Sequence, residues 1–228
     1  MSATEGVSSD PILARVQELC VAVVCDAMDS LKIPSALVHS SIRRFAGSRM
    51  VGRARTVERI PQPMNATQAD IDPALGMGTQ MVMDSSGPGT VIVIAAQGLE
   101  TAGLIGDNMA TRCVGVGVAG VLVDGAIRDL DAIREMNLTV YARATAPRMG
   151  LGRAVTLSID KPVVCGGVYI RPGDIVFGDA DGVVVIPQAR AEEIVKEAER
   201  IEPLERQTRE FIAQGNSLVD AVKKFKVR

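Results

Sequence analysis

The chain has 228 residues, of which 47% are hydrophobic and 23% charged, enough for one large domain with a full core. A net charge of −2, aromatics at 3% and no tryptophan exclude a global basic field for nucleic acid or acidic lipid, and a stacking platform for single strands. No apolar stretch is long enough to span a bilayer, and polar residues 1–10 lack a secretory signal, so a cytoplasmic protein with no membrane or nucleic-acid partner is expected.

In chain order, residues 11–31 are predicted as one helix. Asp10 is a fitting N-cap, Pro11 suits the first turn, and Ile12, Val16, Leu19 and Val23 recur at helical spacing. Residues 45–60 read as paired strands, and 61–78, rich in Pro, Asn, Asp and Gly, as a loop with a short helix. TVIVIAA at 90–96 and GVLVDG at 120–125 are continuous apolar runs, the pattern of strands buried on both faces. Helices are expected at 107–118 and 130–136, and a strand at 139–143. Strand alternating with helix implies a parallel core. Turn residues crowd 163–186, which reads as compact β structure. A charged helix is expected over about 189–214, with Pro203 inside it and a short basic tail after Gly215. The whole of 1–228 reads as a single domain.

Cys20, Cys25, Cys113 and Cys165 form no C-x-x-C pair, so they are expected as reduced, mostly buried side chains. His39 is the only imidazole and lies in a polar, turn-like segment. A catalytic triad or a multi-histidine zinc site would need it at the centre. An enzyme built on this chain therefore works with carboxylates, arginine and water.

Two segments carry that chemistry: GLIGDN at 103–108 and DGAIRD at 124–129, each just after a buried strand. Ligands of open parallel sheets bind above such strand ends. The 103–106 backbone, at a helix start, can present N–H groups to a carboxylate. Arg128 can hold an enolate oxygen, and Asp129 offers a hard ligand to Mg²⁺, with Asp107 orienting waters. An Arg-Asp pair after a strand can equally be a helix cap with a solvated ion pair. The G-x-x-G of 103–106 is not a G-x-G-x-x-G, and no G-x-x-x-x-G-K-[ST] occurs, so a nucleotide-binding reading of this segment fails at the motif level.

Asp107, twenty residues, then Arg128-Asp129 resembles the D-x20-R-D signature of the RraA-like family, which contains metal-dependent 4-hydroxy-4-methyl-2-oxoglutarate aldolases and regulators of ribonuclease E. The resemblance extends through VCDAM at 24–28, GVAGVLVDGAIRD at 117–129 and VYIRPGDIVFGDADGVVVIP at 168–187. It implies an α/β fold of the swivelling β/β/α type, with a parallel-strand core and a C-terminal helix, assembled as trimers or hexamers with interfacial sites. It also implies roles. Asp129 binds Mg²⁺, Mn²⁺ or another divalent metal, Arg128 contacts the substrate keto oxygen, and Asp107 holds the metal's water. Amides of Gly103, Leu104, Ile105 and Gly106 receive the carboxylate of a 2-oxo acid. A glutamate of a neighbouring copy's C-terminal helix completes the site, with Glu205 preferred over Glu199, Glu202 and Glu210.

The implied reaction is cleavage of a 4-hydroxy-2-oxo di- or tricarboxylic acid to pyruvate, with oxaloacetate decarboxylation as a second activity. The alternatives are a regulator that binds ribonuclease E or an RNA helicase, and a related metal lyase on another hydroxy-oxo or sugar acid. Segments 149–152 and 65–77 are expected to border the site, and Arg148 and Arg153 are candidates for a second carboxylate.

Overall fold

The computed structural model describes residues 10–34, 36–63 and 75–225. A parallel core carries the molecule. Strands β2 (Met50–Pro61), β3 (Thr90–Gly103), β4 (Gly120–Ile127) and β5 (Val140–Thr145) lie side by side and parallel. Strand β1 (Arg43–Ala46) adds antiparallel to β5 at one edge. On the other side of β2 come β9 (Ile175–Gly178) and β10 (Val183–Ile186), while β6 (Ala154–Ile159) also pairs with the carboxyl half of β2. A separate hairpin joins β7 (Val163–Cys165) to β8 (Val168–Ile170).

The apolar runs are explained by burial on both faces. In β3, Ile92, Ile94 and Ala96 pack with α3 (Gly78–Asp84), α4 (Asp107–Val116) and α5 (Leu130–Glu135), through Val82, Met83, Ala110, Cys113 and Ile133. The alternate residues Val91, Val93 and Ala95 pack on the β7–β8 hairpin through Val163, Cys165, Val168 and Ile170. Each such side chain removed from water contributes about 1.5–3 kcal/mol, so neither face can tolerate a polar residue without a partner. A third cluster sets α1 (Pro11–Gln17), α2 (Val21–Ser30) and the C-terminal helix α6 (Ala191–Ala213) on β9 and β10 through Ile175, Phe177, Val184 and Ile186. Helix α6 matches the expected charged helix and contains Pro203. Among the described residues no helix is long and apolar enough to cross a membrane.

Three local expectations are corrected. Residues 11–31 form two helices. Cys20 is extended, and the Asp179 carboxylate accepts the Val21 N–H at 2.8 Å, starting α2 afresh and letting Leu19 and Val21 both be buried. Asp10 does cap α1, accepting from Ile12 N–H at 3.0 Å. The strands within 45–60 do not pair with each other: β1 goes to β5 and β2 to β3. Between them Gly47 turns at φ +70°, pressed against Thr139, where a Cβ would lie 2.4 Å from Oγ1. The basic tail contains a helix, α7 (Leu218–Phe225), begun by Ser217 and held by an edge-on contact of Phe225 with Phe211. Most of the loop expected at 61–78 lies outside the described residues.

The cysteines are free. Cys113 and Cys165 are buried, and Cys20 and Cys25 half-buried. Burial pushes the Cys113 thiol up to about 12, and burial with nearby Asp26, Asp29 and Asp179 pushes Cys25 up to about 11. Titration with a disulfide thiol reagent at pH 8 should therefore leave Cys113 and Cys165 unmodified in the native protein and release all four thiols in denaturant. Prompt native labelling of Cys165 would contradict this packing.

Candidate functional site

The carboxyl ends of β3 and β4 build the site. Gly103 pairs with Ala126 in register, Leu104 N–H donates to the Ala126 carbonyl at 2.8 Å, and Arg128 N–H donates to the Ile105 carbonyl at 2.9 Å. A third segment closes the other side. Ala146 N–H reaches the Ile127 carbonyl at 2.8 Å, Gly103 N–H reaches the Arg148 carbonyl at 2.7 Å, and Met149 bridges to Gly103. These bonds fix the backbone on which Arg128 and Asp129 stand.

The two side chains meet at the start of α4. Asp129 Oδ2 accepts from Asp107 N–H at 3.2 Å and from Arg128 Nε at 3.0 Å. Asp129 has φ +55°, a left-handed conformation that aspartate tolerates better than most residues and that turns its carboxylate back onto α4. Gly106 is required by this closeness, since a Cβ there would lie 2.5 Å from Asp129 Oδ2. The positive end of α4 and the Arg128 charge both favour anions here. Side chains of Arg128 and Asp129 are 29% and 32% exposed, so an incoming ligand can reach them.

Asp107, Arg128, Asp129 and the 103–106 turn thus come together as the spacing implied. The amides divide. Those of Gly103 and Leu104 are spent on Arg148 and Ala126, and among the described residues only those of Ile105 and Gly106, rather than all four, face no backbone acceptor. Asp129 also caps α4 and pairs with Arg128, so the solvated-cap reading describes real contacts, yet Asp129 Oδ1 and Asp107 Oδ2 have no hydrogen-bond partner among the described residues. Two such hard oxygens suit an ion that takes one or two carboxylates and keeps its waters. No group of three or more His, Cys, Asp or Glu among the described residues could hold a metal.

Glu205 stands elsewhere. Helix α6 packs on α1, α2 and α7, and Glu205 faces Arg209 at 3.4 Å. Glu202 shares Arg209 at 3.6 Å, and Glu199 binds Arg15 at 2.7 Å. Arg148 and Arg153 are exposed, and Arg153 spends its Nη1 on the Met149 and Leu151 carbonyls. His39 is exposed and bonded to Ser41, away from these groups.

Sequence reasoning missed one buried pair. Asp124 accepts from Arg143 Nε and from Gly166 N–H, while Arg143 also reaches Ser41 Oγ. It ties the β7–β8 hairpin to β4. An aspartate inside a wholly apolar strand was the available signal, because a buried charge needs a partner.

The RraA-like (Aldolase/RraA) family profile matches residues 21–185. A protein of Halalkalibacterium halodurans named "Putative 4-hydroxy-4-methyl-2-oxoglutarate aldolase" is 35% identical over 182 residues, 78% of this chain and 77% of that protein. Relatives of the same name from Ectopseudomonas mendocina and Azotobacter vinelandii match only about half of this chain and 65% of their own length. Among solved structures, an uncharacterized protein from Pseudomonas syringae superposes with a TM-score of 0.79 at 30% identity, covering 94% of this chain and 98% of its own. Streptomyces coelicolor RraAS2, described as an unusual member of the RNase ES inhibitor RraA family, gives a TM-score of 0.77 at 29% identity over 89% of this chain and 98% of its own.

Proposed function

Because the chain belongs to the RraA-like family, we propose that it is a divalent-metal-dependent lyase that cleaves a 4-hydroxy-2-oxo di- or tricarboxylic acid to pyruvate. The observation that carries this reading is the Arg128–Asp129 pair, joined at 3.0 Å and turned onto the start of α4 beside Asp107. Asp129 would hold an Mg²⁺ or Mn²⁺ ion, with Asp107 orienting its waters, and the ion would supply an electron sink in place of a lysine Schiff base.

The chain's own groups do the rest. Ile105 and Gly106 N–H groups receive the substrate carboxylate at the positive end of α4. Arg128 holds the C2 oxygen and strengthens its hydrogen bonds as charge gathers there. Asp107, through a water that it orients, takes the C4 hydroxyl proton. The C3–C4 bond breaks, its electrons form the pyruvate enolate, and the C4 fragment leaves as a carbonyl compound. The same proton, returned through that water to C3, then gives pyruvate. Oxaloacetate would lose CO₂ through the same enolate. Glu205 can take part only from a second copy, since α6 packs away from the site in its own chain; this goes with a homotrimer or homohexamer acting in the cytoplasm.

The test is a pyruvate-release screen over 4-hydroxy-2-oxo acids and oxaloacetate. Chelator-treated protein should lose activity and recover it with Mg²⁺ or Mn²⁺. Full activity without metal sinks the mechanism. A second reading, a regulator that binds a ribonuclease or RNA helicase, is favoured by the likeness to RraAS2. It predicts no lyase activity and partner binding that survives Asp129→Ala.

A further inference from the structure

Two buried side-chain atoms among the described residues have no hydrogen-bond partner: Arg59 Nε and Thr79 Oγ1. Both are held against strand β6. Arg59 stands opposite Thr156 in register, and Gly78, the residue before Thr79, backs onto the same Thr156, where a Cβ would lie 2.9 Å from Cγ2. Thr79 is only 2% exposed. Among the described residues the Arg59 side chain makes one hydrogen bond, from Nη2 to the Ala154 carbonyl at 2.9 Å, and no carboxylate there pairs with it. Burial draws its pKa below the ordinary arginine value. A guanidinium desolvated without an anion is destabilising, and a group so perturbed is a candidate for meeting one that arrives from outside.

The position suits a substrate. Arg59 lies near the carboxyl end of β2, the same end at which β3 and β4 hold the site. Ala154 closes the loop that opens at Arg148, whose carbonyl takes Gly103 N–H, and Gly150 within that loop backs onto the Gly103 carbonyl. Ala154, Val57, Leu104 and Ile105 share one hydrophobic cluster, which places this loop, the face of β2 before Arg59 and the carboxylate-receiving turn on one side of the sheet. Arg148 and Arg153 are exposed, so each meets an anion only by giving up water.

We propose that Arg59, with the Thr79 hydroxyl beside the same strand, receives the carboxylate at the far end of the substrate, so that the protein selects 2-oxo acids with a second acidic group over those with an alkyl group there. The proposal rests on the lyase reading of the adjoining site and names its specificity-determining residue. A charge-assisted hydrogen bond in a desolvated place discriminates strongly, because the alkyl analogue leaves the cation unpaired.

Titration calorimetry with Mg²⁺ tests it without turnover. Wild-type protein should bind 2-oxoglutarate at least ~10-fold more tightly than 2-oxopentanoate, which carries a methyl group in place of the second carboxylate. Arg59→Met should bind the two equally, at the affinity of the alkyl acid, and Arg59→Lys should keep part of the preference. Arg59→Met should melt no lower than wild type, because it removes an unpaired charge. Equal binding by wild type, an undiminished preference in Arg59→Met, or a lowered melting temperature in that variant would each overturn the assignment, the last by revealing a structural ion pair. Selectivity that depends on Arg59, in a protein that releases no pyruvate, leaves the site standing and removes the lyase reading. Pyruvate release indifferent to the second acidic group removes Arg59 alone.

Discussion

Asp129→Asn should lower metal-dependent pyruvate release by about 10³-fold while leaving the fold intact. Asparagine is isosteric, adopts the left-handed conformation at φ +55° as readily as aspartate, and keeps an oxygen to accept the Asp107 N–H. The cap of α4 survives, and the melting temperature should change little, since the Arg128 pair is about one-third exposed and such pairs contribute under ~1 kcal/mol. What the variant loses is negative charge. Asp129 Oδ1 is the oxygen of that carboxylate with no hydrogen-bond partner among the described residues, and the neutral amide is a poor ligand for a hard cation. Calorimetric titration with Mn²⁺ should show binding weakened alongside the rate. A folded variant that binds Mn²⁺ and turns over like wild type removes Asp129 from the metal.

The difference between Asp129 and Glu205 shows what the sequence made legible. Strands with both faces buried announce themselves as unbroken apolar runs, as at 90–96 and 120–125, so the parallel core could be read directly. The spacing from Asp107 to Arg128 covers α4 and β4, which returns the chain to the end of the neighbouring strand. That geometry is local and periodic. Features set by distant chain were not legible. The break between α1 and α2 depends on Asp179, and the choice of which site amides remain open depends on Arg148. The edge position of β1 beside β5 likewise follows from tertiary pairing, not from alternation within 45–60. Glu205 lies on a helix where, among the described residues of its own chain, it pairs with Arg209, so periodicity can place it on a face but cannot bring it to the site.

Arg128→Ala should cut both kcat and kcat/KM by at least ~10²-fold, with little change in KM. Arg128 is held at both ends: its backbone N–H donates to the Ile105 carbonyl at 2.9 Å, and its guanidinium Nε donates to Asp129 at 3.0 Å. Gly103 makes room for the stem, since a Cβ there would stand 2.7 Å from Arg128 Cβ. A donor held this rigidly does little for a neutral keto oxygen and most for the enolate oxygen, so its loss falls on the transition state rather than on ground-state binding. Arg128→Lys returns the charge without the planar fork, and Nε can no longer anchor to Asp129, so it should recover at most about a tenth of the activity. Oxaloacetate decarboxylation provides the internal check. It shares the enolate but not the C4 hydroxyl, so Arg128→Ala should depress both reactions in parallel, whereas loss of Asp107 should depress cleavage more. If Arg128→Ala spared decarboxylation while abolishing cleavage, the arginine would belong to the C4 end of the substrate and its assignment to the keto oxygen would fall.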